Sequence, residues 1–277
     1  MSKKAICGVC PRHCEIEEGE TGFCRARENR GGKVICGNYG KLTSLALDPI
    51  EKKPLRRYCP GYMILSVGSY GCNLACPFCQ NSEISQAGAN DIRTEYVSPE
   101  ELVRYADEQR ENGNLGIAFT YNEPLIGYEY VMDTAKLAHE HDMKNVLVTN
   151  GYICRGPLEE LMPYIDAMNI DLKGADDEYY RWLGGDIDTV METIEYAAEH
   201  CHVEVTTLIV PGKNDKDEDI TRIAEWLSGI NDEIPLHISK FFPRFKMPDS
   251  EPTPTETVYH LADLAGEYLK YVYTGNC

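Results

Sequence analysis

No stretch of eighteen apolar residues occurs anywhere in the 277 residues. A helix of bilayer length is therefore not predicted, and no membrane partner is expected. Nor does an apolar segment follow the lysines of the opening "MSKKAICGVC", which argues against a signal peptide and for the cytoplasm. Positive charge is scarce: 27 Lys and Arg against 45 Asp and Glu leave a formal charge of −18. Bulk nucleic-acid binding needs a positive face, so none is expected. Repeats at a fixed period are missing too, which excludes a solenoid.

Cysteine, by contrast, is abundant. Twelve are present, and nine of them fall in the first 79 residues, in two groups. Cytoplasmic thiols stay reduced, so this clustering points to metal rather than to disulfides. The length admits one large α/β domain, or one domain plus a small module. Residues 1–60 have little periodicity. They hold Cys7, Cys10, Cys14, Cys24 and Cys36, then "DPIEKKPLRRYCPG" with Lys52, Lys53, Arg56 and Arg57. They read as a cysteine-rich N-terminal module and a basic arm.

From 61 to 277 the pattern becomes strands alternating with helices. "YMILSVGS", "LGIAFTY", "KNVLVTN", "AMNIDLK", "VEVTTLIV" and "LHISKF" are short apolar, β-branched runs, and "KYVYTG" is a last one. Two helix starts stand out. Ser98, Pro99 and Glu101 form one capping signature, and Thr253, Pro254 and Glu256 repeat it. Such alternation means a parallel sheet. Six or seven units are too few for an eightfold barrel, so an open or partial (β/α) barrel fits best, with a doubly wound sheet as the alternative. Either places chemistry at the carboxyl ends of the strands.

"SYGCNLACPFCQNSEIS" meets that condition. It follows the first of these strands and sets Cys72, Cys76 and Cys79 within eight residues. A structural zinc wants four ligands, and a disulfide would leave one thiol over. Three thiolates suit a [4Fe–4S] cluster with one iron left open for a substrate or cofactor. Cys7, Cys10, Cys14 and Cys24 form a second set of four in a segment with no core of its own. They read as a metal-folded module holding either zinc or a second cluster, with Cys36 able to replace one of them.

"GCNLACPFCQN", with Phe78 before the last cysteine, resembles the signature of the radical SAM superfamily. "FTYNEP", "VTNGY", "NIDLKG", "TTLIVPGKND" and "HISKFFPRFKM" follow in the order of proteins similar to pyruvate formate-lyase activating enzyme. "CPRHC", "GETGFCRAR", "DPIEKKPL" and "CQNSEISQ" resemble the AmmeMemoRadiSam branch. The resemblance implies a partial (β/α)6 barrel over 61–277. It also implies a [4Fe–4S] cluster on Cys72, Cys76 and Cys79, and S-adenosylmethionine chelated to the open iron. Reductive cleavage then yields a 5′-deoxyadenosyl radical that abstracts hydrogen from a substrate.

The resemblance further implies cofactor contacts at Phe78, Asn81, Tyr121, Asn122, Glu123, Asn150, Asp171, Lys173 and His237. Tyr121–Asn122 stands where activating enzymes carry two glycines, and Asn122 is the residue expected to take unusual backbone angles. Glu123 would accept from the methionyl ammonium, Lys173 pair with the carboxylate, and His237 touch the ribose. A ferredoxin or flavodoxin is the implied electron donor, and a partner protein is one implied substrate. A non-catalytic iron–sulfur or zinc carrier is the competing class. It ranks low, because a carrier has no need of polar residues at successive strand ends. The basic arm Lys52–Arg57 and "KFFPRFK" (240–246) are expected to flank the barrel's lateral opening together and to dock an anionic substrate or partner.

Overall fold

In the computed structural model, which describes residues 4–277, eight strands form one sheet in strict chain order. They are β1 (Ser44–Pro49), β2 (Met63–Gly68), β3 (Asn114–Phe119), β4 (Lys144–Thr149), β5 (Ala167–Asp171), β6 (His202–Ile209), β7 (Leu236–Lys240) and β8 (Val272–Gly275). From β2 to β8 every pairing is parallel, and β1 runs antiparallel along β2. Among the described residues no pairing joins β1 to β8, so the barrel is open between them. The helices longer than one turn are α1 (Pro99–Glu108), α2 (Tyr128–Glu140), α3 (Arg155–Leu161), α4 (Asp177–Leu183), α5 (Ile187–Ala198), α6 (Asp217–Asn231) and α7 (Thr255–Ala265). None is long and apolar enough to cross a membrane.

The two faces of the sheet follow from the alternation of side chains along each strand. Leu65, Ile117, Leu147 and Met168 join the large core that the helices complete. Their neighbours Ile64, Ala118, Val146 and Ala167 face the other way, onto Ile50 and Leu55 of the basic arm. Two residues further along the strands, that same inner face changes from arm to cavity, at Val148 of β4 and Thr206 of β6. The arm therefore fills the amino half of the barrel and leaves the carboxyl half open. Ile50 and Leu55 are fully buried, a burial that stabilises by roughly 1.5–3 kcal/mol per side chain.

This corrects the expected placement of the arm. It runs across the inner face, and only its end reaches the lateral opening, where Arg57 lies 3.8 Å over the Tyr271 ring just before β8. Pro54 O accepts from Asn169 Nδ2 at 2.9 Å, and Lys53 is buried against Asp48 at 2.9 Å. Burial alone would raise the Asp48 carboxyl, but Lys53, Tyr121 and Lys52 hold it well below the usual range. The Lys53 charge is thus neutralised and not free to dock anything.

Ser98 forms the full capping box with Glu101. The second signature does not form. α7 begins at Thr255 without a side-chain cap. The buried Thr253 hydroxyl instead donates to Ile209 O at 2.6 Å and accepts from Phe241 N at 3.0 Å, fastening the ends of β6 and β7 together. Closing two core strands outweighs a cap worth about 1 kcal/mol.

The N-terminal segment is built of short hairpins. Ala5–Ile6 pairs with Glu15–Ile16, and Arg27–Arg30 pairs with Lys33–Cys36. Gly31 and Gly32 take the left-handed angles that a two-residue hairpin turn demands. Arg27, buried, pairs with Glu129 at 2.6 Å and fastens the second hairpin to α2.

Candidate active site

A cavity of about 560 Å³ occupies the carboxyl half of the barrel. Cys72, Cys76 and Cys79 line it, and so do Phe78, Asn81, Tyr121, Asn122, Glu123, Asn150, Asp171, Lys173 and His237. Residues spread over more than 160 positions are thus brought to one cavity, most of them beyond the carboxyl ends of the strands, with His237 inside β7.

The cysteine loop leaves β2 through Gly71, whose φ is +89°. A Cβ there would run into the Cys24 carbonyl, so glycine is required on both counts. The loop is held from outside. Ala75 N donates to Leu183 O at 2.8 Å, and Asn73 Nδ2 to Tyr152 O at 2.6 Å. The Arg12 guanidinium donates to Asn73 O at 2.8 Å and also to Gly184 O. Two N–H groups point at Cys72 Sγ: Leu74 N at 3.4 Å and Asn150 Nδ2 at 3.6 Å. Cys79 Sγ lies 3.2 Å from the Ser85 hydroxyl. Burial pushes the Cys72 thiol well up and the Cys76 thiol to about 11, although Lys173 opposes the latter. Neighbouring thiols can ionise together only against strong positive charge, which iron would supply. The N–H donors onto sulfur are those that tune a thiolate-held cluster. The residues present therefore fit a cluster.

Glu123 is almost fully buried and accepts three hydrogen bonds. The donors are Thr149 Oγ1 at 2.7 Å, Asn150 N at 2.8 Å and Leu125 N at 2.9 Å. Burial nonetheless outweighs these donors and raises its carboxyl to about 7. A cationic group docking here would ionise it and relieve that cost. Lys173 and Asp171 pair at 2.7 Å. Burial pulls the lysine down, but Asp171 and Cys76 prevail and keep it protonated.

At "TYNEP" the expectation for Asn122 is overturned. Tyr121, not Asn122, has the left-handed backbone, at φ +71°. Its ring lies over Gly68, where a Cβ would come within 2.9 Å, and its hydroxyl donates to Asp48 at 2.8 Å. Asn122 instead laces the neighbouring loop. Its Oδ1 accepts from Ser69 N at 2.9 Å, and its Nδ2 reaches Tyr70 O and Gly71 O. The backbone that two glycines would leave bare is here held by two side chains. Asn81 Nδ2 completes the tie by donating to Tyr121 O at 2.8 Å.

His237 exposes a residue absent from the sequence reading. Its Nε2 lies 2.6 Å from Glu204, a carboxylate with no exposed surface in the middle of β6. Glu204 also accepts from His202 Nε2 at 3.0 Å, Arg56 N at 3.0 Å and Arg57 N at 2.7 Å. Burial would raise its carboxyl, but these four donors bring it down to about 2. The carboxylate thus orients a cavity histidine and anchors the arm beneath it. A mid-strand Glu followed by alternating residues gives no local signal of partners 33 and 148 positions away.

Of the two basic segments, only Lys52 and Arg56 line the cavity, as do Thr206, Ser239 and Thr274. No residue of 240–250 does. The two basic segments therefore do not line one cavity. Cys7, Cys10, Cys14, Cys24 and Cys36 lie outside the cavity and carry no disulfide. Cys7 N donates to Cys14 O at 3.0 Å across the first hairpin, and Cys24 packs with Tyr70 behind the cysteine loop. Among the described residues no three His, Cys, Asp or Glu side chains gather around a single-ion position. A cube needs no such convergence, since its thiolates bind separate irons.

The family model of the Radical SAM superfamily matches residues 66–227. Over 276 residues, 99% of this chain and 81% of the other, the sequence is 45% identical to an uncharacterized protein of Methanocaldococcus jannaschii. A pyruvate formate-lyase-activating enzyme of Clostridium pasteurianum is 28% identical over 58% of this chain and 67% of its own. Among solved structures, Streptococcus suis SuiB bound to S-adenosylmethionine superposes with a TM-score of 0.60 at 16% identity, over 77% of this chain and 52% of that one. QueE from Escherichia coli gives 0.54 at 13% identity, over 86% and 93%. These structures share the fold.

Proposed function

The chain belongs to the radical SAM superfamily and is an enzyme, and from that premise we propose that it cleaves S-adenosylmethionine reductively and takes a hydrogen atom from a substrate held in the same cavity. Cys72, Cys76 and Cys79 would hold the [4Fe–4S] cluster. With S-adenosylmethionine bound, the cluster would supply the electron for reductive cleavage of a sulfonium and so the means of hydrogen abstraction. The observation that carries the reading is the convergence of three unpaired cysteines with polar groups from successive strand ends on one cavity.

The remaining roles follow from charge and hydrogen bonding. Glu123 offers a buried carboxylate to the ammonium, and Lys173 a protonated amine to the carboxylate. His237, held through Nε2 by Glu204, turns its other ring nitrogen to a hydroxyl. Asn150 and Asn73 hold the cysteine loop to β4 through a 2.9 Å hydrogen bond. Lys52 and Arg56, with the hydroxyls of Thr206, Ser239 and Thr274, suit a substrate carrying negative charge beside the arm. The finer assignment, abstraction from a backbone glycine of a partner enzyme, is supported by the likeness to activating enzymes. The cysteines at 7, 10, 14 and 24 would hold zinc or a second cluster. A cytoplasmic setting, where thiols stay reduced, suits both cysteine groups.

Protein reconstituted without oxygen, given dithionite and S-adenosylmethionine, is expected to release 5′-deoxyadenosine. An intact cluster with bound S-adenosylmethionine and no such product would refute the reading.

A further inference from the structure

A cluster in this cavity must receive its electron from outside, while the cavity mouth is where substrate sits. The surface behind the cysteine loop offers a separate approach. The segment after β7 turns away from the cavity and lies on that loop, where Lys246 N donates to Pro77 O at 2.9 Å. Pro77 and Phe78 stand between Cys76 and Cys79. The same segment exposes Phe242 at 42% and Phe245 at 39% of their surface, beside the exposed Arg244 and Lys246. Phe245 has φ +52°, a costly backbone for an aromatic residue, and Lys246 lies over its ring at 5.2 Å.

Phe78 extends the approach on its other side. It is buried and packs on Trp182 with ring centroids 5.8 Å apart. Trp182 is half-buried, and the exposed Lys213 covers its ring at 4.7 Å. An aromatic pair thus leads from the surface to the cysteine loop. Among the described residues, Lys213, Arg244 and Lys246 form no ion pair, although exposed Asp249 and Glu251 follow in the sequence. Unpaired cations and exposed aromatics over the cysteine loop, on a chain of charge −18, suit a partner of strong negative surface charge.

The geometry points to this face, Phe242–Lys246 with Lys213 and Trp182, as the docking site of a small acidic one-electron carrier of the flavodoxin kind. The inference rests on the proposed function. In the transfer the carrier is oxidised by one electron and the cluster is reduced by one. No bond is made or broken in this chain, and no proton moves.

The test uses the reconstituted protein and a recombinant flavodoxin. Its binding is measured by calorimetry, and cluster reduction by the electron paramagnetic resonance signal after mixing with reduced flavodoxin. The triple variant Lys213→Glu, Arg244→Glu, Lys246→Glu should weaken binding about tenfold or more and remove most of its salt dependence. Reduction by flavodoxin should slow in step, while reduction by dithionite and the cluster spectrum stay as in the parent. Phe245→Ala should weaken binding without changing its salt dependence. Unchanged flavodoxin binding and reduction in the triple variant would overturn the proposal. So would a variant that keeps flavodoxin reduction but loses substrate turnover with dithionite, since the face would then serve the substrate. Failure of the parent itself to make 5′-deoxyadenosine with dithionite is a separate result and would strike the proposed function instead.

Discussion

The two cysteine groups are built from the same residue at similar spacing, yet their surroundings have little in common. Cys72, Cys76 and Cys79 sit on a loop at a strand end, fixed by the barrel and open to a large cavity. Cys7, Cys10, Cys14 and Cys24 sit on short hairpins with a small apolar cluster and no access to that cavity. Burial raises thiols in each group: Cys10 to about 11 and Cys24 upward in one, Cys76 to about 11 and Cys72 well up in the other. Thiol acidity therefore does not tell them apart. What distinguishes them is what stands opposite: Glu123, Lys173 and His237 in one case, the back of the cysteine loop in the other. The barrel supplies the first group with a frame, whereas the hairpins would depend on their metal for one.

The largest expected effect falls on the first group. Replacing any one of Cys72, Cys76 or Cys79 by Ala should take 5′-deoxyadenosine formation below detection, because a site-differentiated cube needs all three thiolates. The barrel should still fold, since its core is assembled from the strands and helices. Thermal unfolding and product assay on the same sample check both halves. A variant with parental activity would remove the distinction between the groups.

Glu123→Gln tests what stands opposite the first group. An ammonium prefers the ionised carboxylate, and this carboxyl titrates near 7. About a tenth is ionised one unit below that value and nine-tenths one unit above it. Binding of S-adenosylmethionine should therefore tighten about tenfold between one unit below and one unit above neutrality. In Glu123→Gln the dependence should vanish, with binding at the upper pH about tenfold weaker than the parent's. Calorimetry at the two pH values decides. A variant that keeps the parent's pH profile would assign the ammonium to another group.

The barrel-end group was readable in the sequence because its signals are local. A three-cysteine loop after an apolar run, and polar residues ending the next three runs, need only the strand–helix alternation to be placed together. Glu204 was not readable, because it acts across the barrel on a segment that locally resembles a linker, and for Asp48 it was the distant partner Tyr121, not the nearby Lys52 and Lys53, that gave no local signal. Thr253 was misread for a related reason: its hydroxyl fits a cap, but two strand ends nearby in space offered it better partners. Tyr121 could not have been foreseen from backbone preference alone. Its left-handed angle is held by contacts with Gly68, Asp48 and Asn81, which lie far off in the chain.

Cys7→Ala sharpens the comparison from the other side. Losing one ligand should release the hairpins, so amide exchange across residues 4–36 should quicken by tenfold or more while β2–β8 keep their protection. The barrel should feel less, because Arg12 and Cys24 touch the cysteine loop but do not build it. Deoxyadenosine formation should fall by a few fold at most. Equal loosening of both regions would mean that the hairpins fold as part of the barrel.

The smallest effect is expected where a cysteine belongs to neither group. Burial pushes the Cys201 thiol to about 12 with help from Asp166. It lies just before β6, away from both cavity and hairpins. So raised, it remains a thiol and a filler, and Cys201→Ala should cost about 1 kcal/mol with metal content unchanged. Cys154 is the useful contrast. Its N–H donates to Val9 O at 2.9 Å, and its thiol, raised first by burial, also feels Cys7. If Cys154→Ala behaves as Cys201→Ala does, the second group is confined to the hairpins. If it instead lowers iron or zinc content while sparing deoxyadenosine formation, the second group extends across the seam to the barrel. The comparison between a self-contained module and a framed loop would then have to be redrawn.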